Sequence, residues 1–87
     1  MSPEDVFFTQ ATKDVKHLSY KPDNNILLQL YAYYKQAILS DNNMIKPSFI
    51  DFKGIAKWQA WYDIKGMSKL TAKVNYIKLV KKLQSKN

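Results

Sequence analysis

The stretch 51–69, DFKGIAKWQAWYDIKGMSK, reads as one helix completed and a second one begun. Asp51 carries the short side-chain oxygen that accepts from the free amides of a first helical turn. Behind it, Ile55, Trp58, Trp61 and Ile64 recur in register. Gly66 stands where a helix stops, because glycine enters left-handed backbone without steric penalty. Ser68 then caps a further helix, along which Ala72, Tyr76, Leu79, Val80 and Leu83 keep inward-facing spacing.

Working upstream, the connection 40–50, SDNNMIKPSFI, is too polar and too proline-broken to continue a helix. Before it, Asp23 or Asn24 caps a helix reaching about Leu39, with Ile26, Leu27, Leu30, Tyr31, Tyr34, Ala37 and Ile38 as its apolar surface. At the start of the chain, Ser2-Pro3-Glu4-Asp5 combines an N-cap, a proline at the first helical position and acidic residues in the first turn. Phe8, Ala11, Val15 and Leu18 follow on one face, and Pro22 ends that run. With only two glycines, three prolines and no sustained period-two alternation, strands have little support. The expectation is an all-α four-helix bundle, residues 1–87 forming one domain. Its one long joint permits a crossover connection.

Composition narrows the partner. The chain has 87 residues and a formal net charge of +7, and all 14 basic residues are lysine. That balance points to an anion: nucleic acid, a membrane surface or a phosphorylated small molecule. Base-reading proteins favour arginine for its bidentate fork, whereas lysine serves as a mobile point charge for phosphates. AT-rich codons also produce a lysine, asparagine and isoleucine bias, so the missing arginine leaves the choice open. No run approaches the ~18 apolar residues of a membrane span, and no secretory signal is visible at the N-terminus. The absence of cysteine excludes disulfides, Cys-based zinc sites and thiol catalysis, and fits a reducing, cytoplasmic setting.

Catalysis has little to stand on. His17 is the single histidine, with no cysteine or second histidine to partner it, and no glycine-rich phosphate loop occurs. Glu4, Asp5, Asp23 and Asp51 sit at helix starts, where capping is the simpler explanation. No enzyme activity, metal or cofactor is expected. More informative is lysine mixed with tyrosine. Tyr31, Tyr34 and Lys35 lie at i, i+3 and i+4 with Leu27 one turn earlier, and Lys53 and Lys57 are one turn apart. Like charges at that spacing repel unless an anion lies between them. The alternative is a solvated lysine face with half-buried tyrosines. The residues alone reach a basic helical protein with phosphate binding as one option.

Three stretches carry a resemblance: VKHL at 15–18 with Lys21-Pro22, YAYYKQA at 31–37, and DFKGIAKWQAWYDIKGMSK at 51–69. Together they resemble the acyl-CoA-binding protein family, also called diazepam-binding inhibitor, over Phe8 to about Leu83. The resemblance implies an up-down-down-up bundle with residues 40–50 as the crossover. It also implies a bowl that holds a fatty acyl-CoA. By the same resemblance Tyr31 meets the adenine and Lys35 and Lys57 meet phosphates, with Tyr34 and Tyr76 nearby. Lys16 lies at the ligand rim, Leu27 and Leu28 along the acyl path, and Thr12 at a contact position on the first helix. Lys53 joins Lys57 on the residue pattern above.

Several positions depart from the family pattern. Thr12 replaces a small alanine, Ser40 and Ser48 stand where glycines are common, and Lys46 stands where arginine is frequent. Leu70-Thr71 replaces an acidic pair. The implied function is non-catalytic buffering and transport of medium- or long-chain acyl-CoA in fatty acid metabolism. The implied protein is a cytoplasmic monomer with at most transient membrane contact and no nucleic-acid partner. The competing reading is a basic helical module that binds nucleic acid or anionic membranes.

Overall fold

In a computed structural model, which describes residues 2–86, four α-helices carry the chain: α1 (Pro3–Asp14), α2 (Asn24–Leu39), α3 (Phe52–Tyr62) and α4 (Lys69–Gln84). No strand occurs among the described residues. Met1 and Asn87, the ends of the expected domain, lie outside them.

Each helix begins on a side-chain cap. Ser2 accepts from the Asp5 amide, Asp23 from Ile26, Asp51 from Gly54 and Ser68 from Thr71. Of the two candidates for α2, Asp23 is therefore the cap, and Asn24 is the first helical residue. Gly54 leaves room for the Asp51 carboxylate, which a Cβ at that position would run into. Thr71, placed where an acidic residue was expected, supplies a hydroxyl 2.9 Å from the Ser68 Oγ and so reinforces the α4 cap.

Two boundaries differ from expectation. The first helix ends at Asp14, and Val15–His17 form a single 3₁₀ turn. At the other, α3 ends at Tyr62 rather than at Gly66. The Ile64 and Lys65 amides reach back only three residues, to the Trp61 and Tyr62 carbonyls, so the chain tightens before Gly66 turns it at φ +92°. The Gly66 amide is then free to leave the helical ladder, and it donates to Asp41 instead.

Helix directions follow from which ends are bonded together. The Asp5–Lys73 ion pair (2.6 Å) joins the starts of α1 and α4, so these two run parallel. The Tyr20 hydroxyl, just before α2, donates to the Leu83 carbonyl near the end of α4, so α2 opposes α4. The Trp61 indole N–H, near the end of α3, donates to Gln36 and to the Ser40 carbonyl at the end of α2, so α3 runs with α2. The order is up-down-down-up. Because α2 and α3 are parallel, residues 40–51 must climb back along the bundle. The Asn42 side chain donates to the Trp58 carbonyl, and the Trp58 indole donates to the Met44 carbonyl; these bonds fasten the climb to α3.

The core lies between α1, α2 and α4: Phe8, Ala11, Leu30, Ala37, Ala72, Tyr76, Val80 and Leu83 are buried there, with Val15, Leu18 and Leu79 packed against them. Helix α3 packs chiefly on α2. Of its expected apolar register only Trp61 is buried, while Ile55, Trp58 and Ile64 are half-covered. Ile38, expected inside, is exposed. The Cα extents are 36 × 30 × 15 Å, a flattened bundle whose outer helix shares a long open seam with α2.

Candidate functional site

That seam is the groove. On α2, residues 24, 27, 28 and 31 fall at i, i+3, i+4 and i+7, a single stripe; on α3, residues 52, 53, 56 and 57 fall at i, i+1, i+4 and i+5, two adjacent pairs one turn apart on one side of the helix. The two stripes face each other as Asn24, Leu27, Leu28 and Tyr31 against Phe52, Lys53, Ala56 and Lys57, enclosing about 390 Å³. The volume lies in the range of small-molecule sites, and the leucines, Phe52 and Ala56 give it apolar walls. Both stripes lie toward helix N-termini, whose partial positive charge adds to that of the lysines at this end.

The cations gather on one ring. The Lys57 Nζ lies 5.5 Å from the Tyr31 ring centroid, and the Lys35 Nζ, from one turn further along α2, lies 5.8 Å from it. Lys35 also lies 5.8 Å from the Trp61 ring. An aromatic face attracts a cation within about 6 Å. Two ammonium groups on one tyrosine repel each other, however, and an anion bridging them relieves that repulsion. Below Tyr31 a smaller recess, lined among others by Met44, Pro47, Gly54 and Trp58, continues from the groove under the crossover.

Of the residues singled out in the sequence, the groove brings together Leu27, Leu28, Tyr31, Lys53 and Lys57, with Lys35 beside them. Tyr34 is elsewhere. On a helix, positions 34 and 35 point about 100° apart, so Lys35 follows Tyr31 toward α3 while Tyr34 turns to α1 and α4. There its ring lies 5.9 Å from Phe8 and 6.2 Å from Tyr76. Tyr76 is a buried member of the core, edge-on to Phe8 at 5.1 Å. Burial, and then the neighbouring Tyr34, push its hydroxyl above the ordinary tyrosine range, so it stays protonated at neutral pH. Thr12 donates to the Thr9 carbonyl of its own helix at 2.6 Å. Lys16 is exposed on the 3₁₀ turn. Neither Thr12 nor Lys16 lines the groove.

Asn24, Phe52 and Ala56 line the groove without having been singled out. The signal for Phe52 was present, since it precedes Ile55 by the same three-residue step that links Ile55 to Trp58. Ala56 carried none, being a small residue that matters only because α2 approaches it. Among the described residues no group of His, Cys, Asp or Glu is arranged to hold a metal, and no helix is long and apolar enough to cross a membrane.

Known proteins share both the sequence and the shape. The family model described as "Acyl CoA binding protein" matches residues 5–80. An acyl-CoA-binding protein homolog of Drosophila melanogaster is 44% identical over 79 residues, covering 91% of this chain and 92% of the relative. Acyl-CoA-binding protein homolog 1 of Caenorhabditis elegans is similar to the same degree, with the same coverage. The crystal structure of Oryza sativa acyl-CoA-binding protein 2 superposes with a TM-score of 0.91 at 31% identity, covering 95% of this chain and 92% of that one. The crystal structure of the acyl-CoA-binding protein from Moniliophthora perniciosa gives 0.89 at 34% identity, covering 99% and 83%. With a family model matching residues 5–80 and relatives 44% identical over 91% of its length, the chain belongs to the acyl-CoA-binding protein family, whose members bind rather than catalyse.

Proposed function

We propose that the groove between α2 and α3 holds a fatty acyl-CoA without reacting with it, so that the protein buffers and carries the ester. The observation that supports this most is the convergence of Lys35 and Lys57 on the Tyr31 ring at the rim of an apolar trough. Coenzyme A presents a pyrophosphate, a 3′-phosphate and a flat adenine; the thioester adds an alkyl chain. Each has a counterpart. Lys35 and Lys57, with Lys53 in the same wall, take the phosphates through charge-assisted hydrogen bonds of roughly 1.5–3 kcal/mol each. The Tyr31 ring stacks on adenine for ~1–3 kcal/mol. Leu27, Leu28, Phe52 and Ala56 cover the chain at about 0.8 kcal/mol per buried methylene, so ten methylenes contribute ~8 kcal/mol before ordering costs.

From the α1 side, Thr12, Lys16, Tyr34 and Tyr76 complete the bowl in this reading. Lys16 is exposed on the 3₁₀ turn, and Tyr34 is placed by Phe8 and Tyr76 with part of the residue open to solvent. The protein acts as a monomeric single domain in the cytoplasm, needs no cofactor and has no nucleic-acid partner. Titration calorimetry tests the reading. Palmitoyl-CoA is expected to bind far more tightly than palmitate, which lacks the phosphates, or CoA, which lacks the tail. Equal affinity for palmitate and palmitoyl-CoA rejects it.

A further inference from the structure

The crossover ends in a turn with unusual residues at its tip. The Asp51 amide donates to the Ser48 carbonyl at 2.9 Å, which closes a four-residue turn with Phe49 and Ile50 at its centre. Such central positions ordinarily hold Gly, Pro, Asn, Asp or Ser, which supply the backbone angles or the local side-chain hydrogen bonds of a turn. Here Phe49 is 81% and Ile50 70% exposed, and Ile45 (93%) and Phe52 (79%) on either side are as open. Four large apolar side chains within eight residues, all in solvent, mark an interaction surface. Nothing in the fold covers them. The Asp51 carboxylate is turned inward to the Gly54 amide, and the remaining charges nearby, Lys46, Lys53 and Lys57, are all positive.

From this arrangement we propose that the 45–52 edge docks on the surface of an anionic phospholipid bilayer, with Phe49 and Ile50 entering the headgroup–acyl boundary and Lys46 lying against the lipid phosphates. Charge selects this occupant. A net +7 protein whose apolar tip is flanked in sequence by Lys46 and Lys53 is attracted to a negative leaflet, and apolar side chains combined with cations are the ordinary composition of an interfacial anchor. Shape agrees. The side chains stand out singly from an irregular turn and offer no stripe for a partner helix and no strand edge for a partner strand, whereas a fluid interface accommodates them one by one. Phe52 belongs both to this edge and to the groove wall, so a docked protein has its groove mouth at the membrane.

Vesicle sedimentation tests the proposal, and because the vesicles carry no acyl-CoA the outcome is independent of the calorimetric test above. The full chain is expected to sediment with phosphatidylcholine–phosphatidylserine vesicles and not with phosphatidylcholine alone, and to dissociate as salt rises. The double variant Phe49→Ser/Ile50→Ser is expected to lose about tenfold or more in partitioning, from the apolar surface it no longer inserts. It should keep its helicity and its affinity for palmitoyl-CoA. Independently, Phe49→Trp keeps an aromatic at the tip, and its emission should shift to the blue on the anionic vesicles. Three results overturn the proposal: wild-type protein left in the supernatant, a double variant that sediments like wild type, or no blue shift. A double variant that loses palmitoyl-CoA affinity in step with vesicle binding also overturns it, by assigning the tip to the groove.

Discussion

The two ends of α2 are built on opposite plans. At its C-terminal end the buried side-chain polar atoms are bonded. Gln36 is fully buried; its Nε2 donates to Asp41 and to the Met67 carbonyl, both at 2.8 Å, and its Oε1 accepts from Trp61 at 3.0 Å. Asp41 accepts in addition from the Gly66 amide, and the Trp61 indole also reaches the Ser40 carbonyl at 2.8 Å. One glutamine thus joins α2, the crossover, the end of α3 and the approach to α4. At the N-terminal end no comparable network crosses the seam among the described residues: α2 and α3 flank an apolar groove with lysines at its rim. A fully satisfied buried network rigidifies what it joins, so the closed end fastens α2 and α3 together, while the groove is shaped by the side chains that line it.

If this division is right, damage at the closed end should appear in stability and damage at the open end in affinity. The largest effect is expected for Gln36→Leu. It leaves the Met67 carbonyl and part of the Asp41 and Trp61 bonding unmatched, for a loss of about 3 kcal/mol in urea unfolding, while the protein that remains folded binds palmitoyl-CoA with little change. Lys35→Ala and Lys57→Ala should each weaken palmitoyl-CoA by tens-fold, about 2 kcal/mol, with the unfolding midpoint unmoved. Unchanged affinity in both removes them from the site.

Smaller effects sharpen the contrast. Ser40 sits at φ +67°, ψ −142°, a conformation that costs a residue with a Cβ. Ser40→Gly should therefore add about 1 kcal/mol of stability, read as a raised unfolding midpoint, without altering affinity. The smallest effect belongs to Asp41, which is screened by solvent. The Gly66 amide, then the Gln36 side chain, hold its carboxyl below the ordinary carboxylate range. A depressed native pKa gives stability that is present above the unfolded-state value and lost as pH falls through the native one. In thermal unfolding, Asp41→Asn should therefore lie below wild type at neutral pH and converge with it in acid. A gap that is constant with pH contradicts the assignment.

The local signals were the legible ones. Ser2, Asp23, Asp51 and Ser68 announce their helices because a cap bonds to amides three residues away, and the α4 face reads correctly because α4 is covered along its length by two neighbours. Distance hid the rest. Gln36 looks like a surface residue until Met67, 31 positions away, provides an acceptor, and Asn42 is buried for a similar reason, by the Trp58 carbonyl. The α3 register was over-read because that helix packs chiefly on one neighbour, and a regular apolar spacing does not say how much of it is covered. In the site, the stripe from Leu27 to Lys35 was visible as spacing. The separation of Tyr34 from it, and the part played by Phe52 and Ala56, required knowing that α3 lies beside α2 in the same direction.

The most direct measurement is an NMR titration of the ¹⁵N-labelled protein with palmitoyl-CoA. Amides of Leu27, Leu28, Tyr31, Phe52, Ala56 and Lys57 are expected to shift, while the Gly66 amide and the side-chain N–H signals of Gln36 stay in place. Shifts concentrated at Gln36 and Gly66, with the groove residues unmoved, would show that the ligand enters at the end assigned here to holding the helices together.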